Sequence, residues 1–190
     1  MFRILSKLIF KISGWKIGGE IPPKRCVMVG APHTSNADFF NAIPVFFILR
    51  LKLRYLAKKE LFKFPFGLLF KATGGIPVDR SKKNMRMVDT MIELFNQYDD
   101  LVLLIPVEGT RGYVKEWKTG FYHVAVGAKV PIALGYLDYS KKEAGFGPTF
   151  WPTGDKEKDI AKIKEFYRGV KAKYPEKSSL HEPENSPPLI

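Results

Sequence analysis

The chain has 190 residues and a mass of 21.7 kDa, enough for one domain with a sizeable core. Hydrophobic residues at 45% and charged residues at 26% exclude a disordered or collagen-like chain, and a lone cysteine, Cys26, excludes a disulfide framework or a multi-cysteine zinc site. The net charge is +12, and residues 1–60 hold eleven Lys and Arg against three Asp and Glu, so the expected partner is polyanionic.

Aromatic and aliphatic residues interleave with those cations, which favours an anionic membrane surface over nucleic acid. On a helical wheel Phe2, Leu5, Leu8, Ile9 and Ile12 share one side, while Arg3, Lys7 and Lys11 fall on another. That pattern suits an interfacial helix within residues 1–20, lying among lipid headgroups. It also suits a helix packed on the domain's own core, and both readings stay open here. Lys7 and Lys11 interrupt the apolar run and no small-residue cleavage site follows, so a signal peptide is not expected. The longest uncharged apolar segment of the first half, Phe39–Leu49, has 11 residues, whereas a spanning helix needs about 20.

Further along, Cys26–Gly30 reads as a buried strand, Ala31–Asn36 as a loop and Ala37–Leu49 as a helix. Leu53–Ala57 is strand-like, Glu60–Lys71 holds short helical pieces around Pro65, and Gly75–Val78 is a strand. Lys83–Tyr98 has Met85, Val88, Met91, Ile92 and Phe95 at helical spacing. Leu101–Ile105 is the clearest strand. Thr119–Val126 reads as a helix, Pro131–Leu137 and Thr149–Trp151 as strands, and Asp155–Tyr174 as a helix. Alternation of this kind predicts a single α/β domain over residues 21–174, with a mixed, largely parallel sheet flanked by helices. Residues 175–190 hold four prolines and few large apolar side chains, the composition of a disordered tail.

The first chemical motif, Pro32-His33-Thr34-Ser35-Asn36-Ala37-Asp38, follows a strand and opens a helix. An imidazole that takes a proton from a hydroxyl gains from a carboxylate that fixes its tautomer and steadies the imidazolium. The plainer reading makes Asp38 a helix cap and His33 an ordinary loop residue. Two later clusters, Gly74-Gly75-Ile76-Pro77-Val78-Asp79-Arg80 and Pro106-Val107-Glu108-Gly109-Thr110-Arg111, each set an arginine beside glycines past a strand. Such arginines suit bidentate capture of phosphate or carboxylate, and equally a local salt bridge with Asp79 or Glu108.

In order, His33-x4-Asp38, Lys58-x-Glu60-Leu61, Gly75-x4-Arg80, Glu108-Gly109-Thr110-Arg111 and Val130-Pro131-Ile132 resemble the successive motifs of the glycerolipid acyltransferases. These are the 1-acylglycerol-3-phosphate, or lysophosphatidate, acyltransferases. The resemblance runs from about Cys26 to Leu137. It departs from the family pattern at Val107, where Pro106 sits one place early, and at Leu134, where a second proline is usual.

The resemblance implies an O-acyltransferase that moves a fatty acyl group from coenzyme A or acyl carrier protein to a lysolipid hydroxyl. His33 would be the general base and Asp38 its orienting partner. Arg80 and Arg111 would hold the acceptor's anionic head, helped by Lys58, while Glu108 would keep the region ordered or contact the glycerol and Thr110 would belong to the substrate-binding set. Amides near Gly75 and Gly109 would approach the substrate. Neither a metal nor a resident cofactor is implied, because the acyl thioester enters as a co-substrate. The implied location is peripheral, on the cytoplasmic membrane face. A catalytically silent lipid-binding relative, an acyltransferase for lyso-aminolipids and a lipid hydrolase or transacylase using the same His–Asp pair are the alternatives. Nucleic-acid binding lacks any matching zinc-finger or aromatic motif. His123, in a helical stretch, and His181, in the tail, are read as incidental.

Overall fold

Three strands of this chain are apolar on both faces, and the architecture follows from burying them. In the computed structural model, which describes residues 2–78 and 85–180, Cys26 through Val29, Leu101 through Leu103 and Ile132 through Leu134 are all buried. A strand that must hide both faces needs helices on both, as in parallel sheets.

The chain begins with helix α1 (Phe2–Ser13), strand β1 (Lys16–Gly19), strand β2 (Arg25–Gly30) and helix α2 (Ala37–Leu49). Strand β3 (Leu53–Lys58) leads through a 3₁₀ turn at Lys59–Phe62 into helix α3 (Gly67–Ala72) and strand β4 (Gly75–Val78). Helix α4 (Met85–Gln97), strand β5 (Leu101–Pro106) and helix α5 (Gly120–Gly127) follow. Strands β6 (Ile132–Asp138) and β7 (Glu143–Phe150), helix α6 (Lys156–Arg168) and a 3₁₀ turn at Pro175–Lys177 complete it. The seven-stranded sheet has the order β1-β7-β6-β2-β5-β3-β4. Among the described residues only the β6–β7 pair is antiparallel, so the expected mixed, largely parallel sheet is what forms.

Alternate side chains of each central strand point to opposite faces, and this sorts the helices into two layers. Val27, Val29, Leu101 and Leu103 face α4, α5 and α6 through Phe95, Phe121, Ile163 and Tyr167. Cys26, Met28 and Val102 face α1, α2 and the segment around α3 through Phe10, Ile43, Phe46 and Phe70. Tyr167 is fully buried, and its hydroxyl reaches Val29 O at 2.8 Å and Gly135 O at 3.1 Å, tying α6 across two neighbouring strands.

The structure decides how α1 docks and corrects three expectations. Helix α1 packs on α2 through a narrow stripe of Phe2, Ser6 and Phe10, with the Phe2 ring stacked on Phe47 at 5.2 Å, so Phe10 rather than the five-residue face enters the core. The rest of the predicted apolar face, Leu5, Leu8, Ile9 and Ile12, stays exposed, joined by Ile4. Arg3 reaches toward α2 and donates to Ile48 O at 3.1 Å while staying exposed, as Lys7 and Lys11 do. Strand β7 runs well before Thr149, because Gly145, Gly147 and Pro148 dilute its alternation, and the short, glycine-rich edge strand β1 shows no pattern at all. Helix α6 stops at Arg168, where Gly169 follows and Tyr139 N–H instead captures Lys171 O at 2.9 Å. Residues 175–180 are not a loose tail, since Ser178 is buried and Ser179 is hydrogen-bonded to Glu108. The remaining expected tail, residues 181–190, lies outside the described residues.

Tyr167→Phe is expected to cost about 1 kcal/mol in urea unfolding, because it leaves two buried carbonyls short of one donor. Tyr167→Ala should cost about 3–5 kcal/mol by opening a cavity as well.

Candidate active site

Strands β2, β3, β4, β5 and β6 run in the same direction, so their C-terminal ends gather at one edge of the sheet. Loops at such an edge collect the reactive groups of α/β folds. The loop after β2 carries His33, the turn after β5 carries Glu108 to Arg111, β3 ends at Lys58, and β6 delivers Tyr139.

Asp38 organises this edge. It sits in the first turn of α2 and is buried. Its Oδ2 accepts His33 Nδ1–H, Thr34 N–H and Ser35 N–H, each at 3.0 Å, and its Oδ1 accepts the Tyr139 hydroxyl at 2.7 Å. A cap would satisfy the helix's own amides, whereas this carboxylate reaches back to the loop, so the plain capping reading fails. Burial alone raises the Asp38 carboxyl, but hydrogen bonds from His33, Tyr139 and the Ser35 amide outweigh it and hold the carboxyl below its ordinary value. With Asp38 ionised, Nδ1 carries the proton and Nε2 presents a lone pair. The His33 side chain is 28% exposed, which leaves the ring open to a ligand.

Glu108 is the second buried anion of the edge. Its Oε2 accepts the His33 backbone N–H at 2.6 Å, and its Oε1 accepts the Ser179 hydroxyl at 2.8 Å and the Ser179 N–H at 3.2 Å. Trp117 Nε1–H donates to Ser179 Oγ at 2.7 Å, and Tyr174 N–H donates to Thr34 Oγ1 at 3.2 Å. The C-terminal segment therefore straps the His33 loop. Glu108 holds that loop by its backbone and does not pair with Arg111.

Arg111 is exposed and donates to the side-chain carbonyl of Asn36, which sets a guanidinium beside the His33 loop. Gly109 has φ +67°, and a Cβ there would meet the Lys118 side chain at 2.8 Å, so this glycine shapes the turn and brings a further cation to the edge. Thr110 is exposed, and its Oγ1 accepts Gly112 N–H at 3.5 Å. Lys58 is exposed at the end of β3. Gly75 stands elsewhere, at the start of β4, where a Cβ would come 2.7 Å from Phe70 O, so its free space is filled by the chain itself. Arg80 lies outside the described residues, although β4 ends on the same edge at Val78. Neither His123 nor any group of His, Cys, Asp and Glu suited to a metal joins the site among the described residues. A cleft of about 160 Å³ at the opposite edge, lined by Phe46, Phe47, Leu53 and Gly74, shares no residue with it.

The residues that local sequence reasoning missed are Tyr139, Asn41, Trp117 and Ser179. Asn41 lies one turn beyond Asp38 and donates to the Tyr139 hydroxyl at 3.1 Å, a spacing that could have been noticed. The others arrive from more than sixty residues away.

Residues 17–133 match the Acyltransferase family. The chain is 29% identical over 135 residues to the 1-acyl-sn-glycerol-3-phosphate acyltransferase of Haemophilus influenzae, covering 65% of this chain and 54% of that protein. It is 30% identical over 159 residues to the probable 1-acyl-sn-glycerol-3-phosphate acyltransferase of Mycoplasma genitalium, covering 75% and 58%. The chain thus spans little more than half the length of these curated relatives. Its fold is similar to the crystal structure of the 1-acyl-sn-glycerophosphate (LPA) acyltransferase PlsC from Thermotoga maritima, with a TM-score of 0.61, 20% identity, and coverage of 89% of this chain and 77% of that one.

Tyr139→Phe removes one donor to Asp38 and is expected to move that carboxyl back toward the ordinary range, read by carbon NMR titration. A carboxyl depressed in the folded state adds stability above its unfolded pKa, and that stability is lost as pH falls through the folded value. The variant should accordingly show a shallower loss of stability on acidification and cost about 1–3 kcal/mol near neutrality.

Proposed function

The chain belongs to the acyltransferase family, and from that premise we propose that it transfers a fatty acyl group from an acyl thioester to the hydroxyl of a 1-acylglycerol-3-phosphate. The observation that carries the reading is the 3.0 Å contact between His33 Nδ1 and Asp38 Oδ2, with Asp38 fastened by three further donors. In the proposed reaction His33 Nε2 takes the proton of the acceptor hydroxyl while Asp38 steadies the imidazolium. The oxygen attacks the thioester carbonyl, the tetrahedral intermediate collapses, the C–S bond breaks, and the leaving thiolate takes the proton from the imidazolium, which restores neutral His33.

No acyl-enzyme enters this scheme. The sequence has no Gly-x-Ser-x-Gly elbow, and Cys26 is fully buried with its thiol pushed up by burial to about 12. Arg111, with Arg80 and Lys58, supplies the positive charge that an acceptor phosphate requires, and Lys118 adds to it. The thiol carrier is coenzyme A or acyl carrier protein. A lyso-aminolipid acceptor would use the same base and thioester but would call less on Arg111.

Helix α1 is proposed to rest on the cytoplasmic membrane face. Its exposed Ile4, Leu5, Leu8 and Ile12, with Lys7 and Lys11 nearby, suit the lipid interface. Among the described residues no helix is long and apolar enough to cross a membrane.

His33→Ala is expected to lower kcat by about 10²- to 10⁴-fold while the protein still folds, the lost donor to Asp38 costing about 1–3 kcal/mol of stability. Asp38→Asn should also be severe, because the amide neither fixes the useful tautomer nor balances the imidazolium. Steady-state turnover of an acyl-CoA with 1-acylglycerol-3-phosphate checks both. Near wild-type turnover in His33→Ala would end the proposed mechanism.

A further inference from the structure

The two helix layers differ in what they show to solvent. On the α4, α5, α6 side, acids and bases mix along the outer surfaces, as with Glu157, Lys158 and Glu165 on α6. On the other side the segment from the 3₁₀ turn through α3 exposes Leu61, Phe64, Phe66, Leu68 and Leu69, with Phe64 at 89% and Leu68 at 71%. Phe40, in the first turn of α2, is exposed on the same layer. Packing does not require these rings to point outward, because the segment is anchored by others. Phe62 and Phe70 lie 5.9 Å apart, and Phe70 lies 5.6 Å from Phe39, the residue after Asp38.

Charge selects the occupant of this surface. Residues 58–72 hold Lys58, Lys59, Lys63 and Lys71 against Glu60 alone. An apolar patch rimmed by cations complements anionic headgroups over hydrocarbon. A symmetric contact with a second copy of this chain would set lysine against lysine. We infer that residues 61–69 form a second membrane-contacting element, which seats Phe64, Phe66 and Leu68 in an anionic lipid surface alongside α1. An interfacial helix alone leaves the domain free to roll about the helix axis. A second point of contact on the same layer removes that freedom and sets the edge carrying His33 against the bilayer. The inference goes beyond the α1 contact, and its labelling and vesicle-binding readouts do not need the acyltransferase reading, on which only the turnover control rests.

The test labels the full chain at Phe64→Cys, or separately at Leu8→Cys, with an environment-sensitive thiol dye. Cys26 is fully buried and does not compete for the label. With phosphatidylglycerol vesicles, emission from position 64 should rise, shift to the blue and be quenched by brominated acyl chains, and far less so with phosphatidylcholine. Phe64→Ser with Phe66→Ser should lower the vesicle-bound fraction about tenfold, while thermal stability and turnover of a short-chain, water-soluble acceptor stay unchanged. A label at 64 that remains in water while the label at 8 is quenched would overturn the inference and leave the α1 contact standing. Failure of both labels would overturn both contacts. Shielding of position 64 without vesicles, rising with protein concentration, would assign the patch to self-association and overturn the lipid assignment.

Discussion

A single buried carboxylate dictates the shape of the site. Asp38 lies beneath the β2–α2 loop as an anion, and an anion taken out of water is tolerable only when donors surround it. Four donors do so, and each comes at a structural cost that the fold absorbs. The loop must turn both the Thr34 and Ser35 amides inward, β6 must end where the Tyr139 hydroxyl can reach, and the His33 ring must turn its Nδ1 to the carboxylate. Once these are met, the ring has little choice of tautomer or direction. The ring is thereby oriented by the fold itself, which is the condition that the proposed general-base role requires.

Glu108 extends the same logic outward. It is buried, it holds the backbone at His33, and it is held in turn by Ser179, whose hydroxyl is positioned by Trp117. Two anions thus clasp one loop, Asp38 through the imidazole and Glu108 through the chain. Because carboxylates fill both inner positions, cations on the exposed side, Arg111 and Lys118, are left available to an anionic ligand. The division between buried acids that build the loop and exposed bases around it explains how a chain of strong positive charge keeps His33 in one orientation.

Much of this was legible in the sequence because the information was local. The central strands announced themselves as unbroken apolar runs, α2 was found with its observed ends, and the His33 to Asp38 spacing fell across a strand-to-helix loop. What escaped depends on contacts between distant parts of the chain. Nothing near Tyr139 or Ser179 marks them as partners of Asp38 and Glu108. Glycine misled in two ways. It hid β1 and β7 by diluting their alternation, and at Gly75 it signalled tight packing against α3 where the motif suggested room for substrate. The helical wheel of α1 identified an amphipathic helix correctly and left its docking open, and the structure buries Ser6 and Phe10 while most of the apolar side stays exposed. A wheel reports which residues are apolar, and only the partner surface decides which of them are buried.

In the proposed reaction this edge of the sheet drives attack by an acceptor hydroxyl on a thioester without a covalent enzyme intermediate. That reaction is tested most directly by following free thiol released from an acyl-CoA, with and without 1-acylglycerol-3-phosphate, while quantifying the diacylated product by mass spectrometry. The account predicts thiol release only when the acceptor is present, in one-to-one ratio with diacylated product, and no acylated protein at any time. Thiol release that proceeds equally without acceptor, or an acyl group found on the protein, would contradict it.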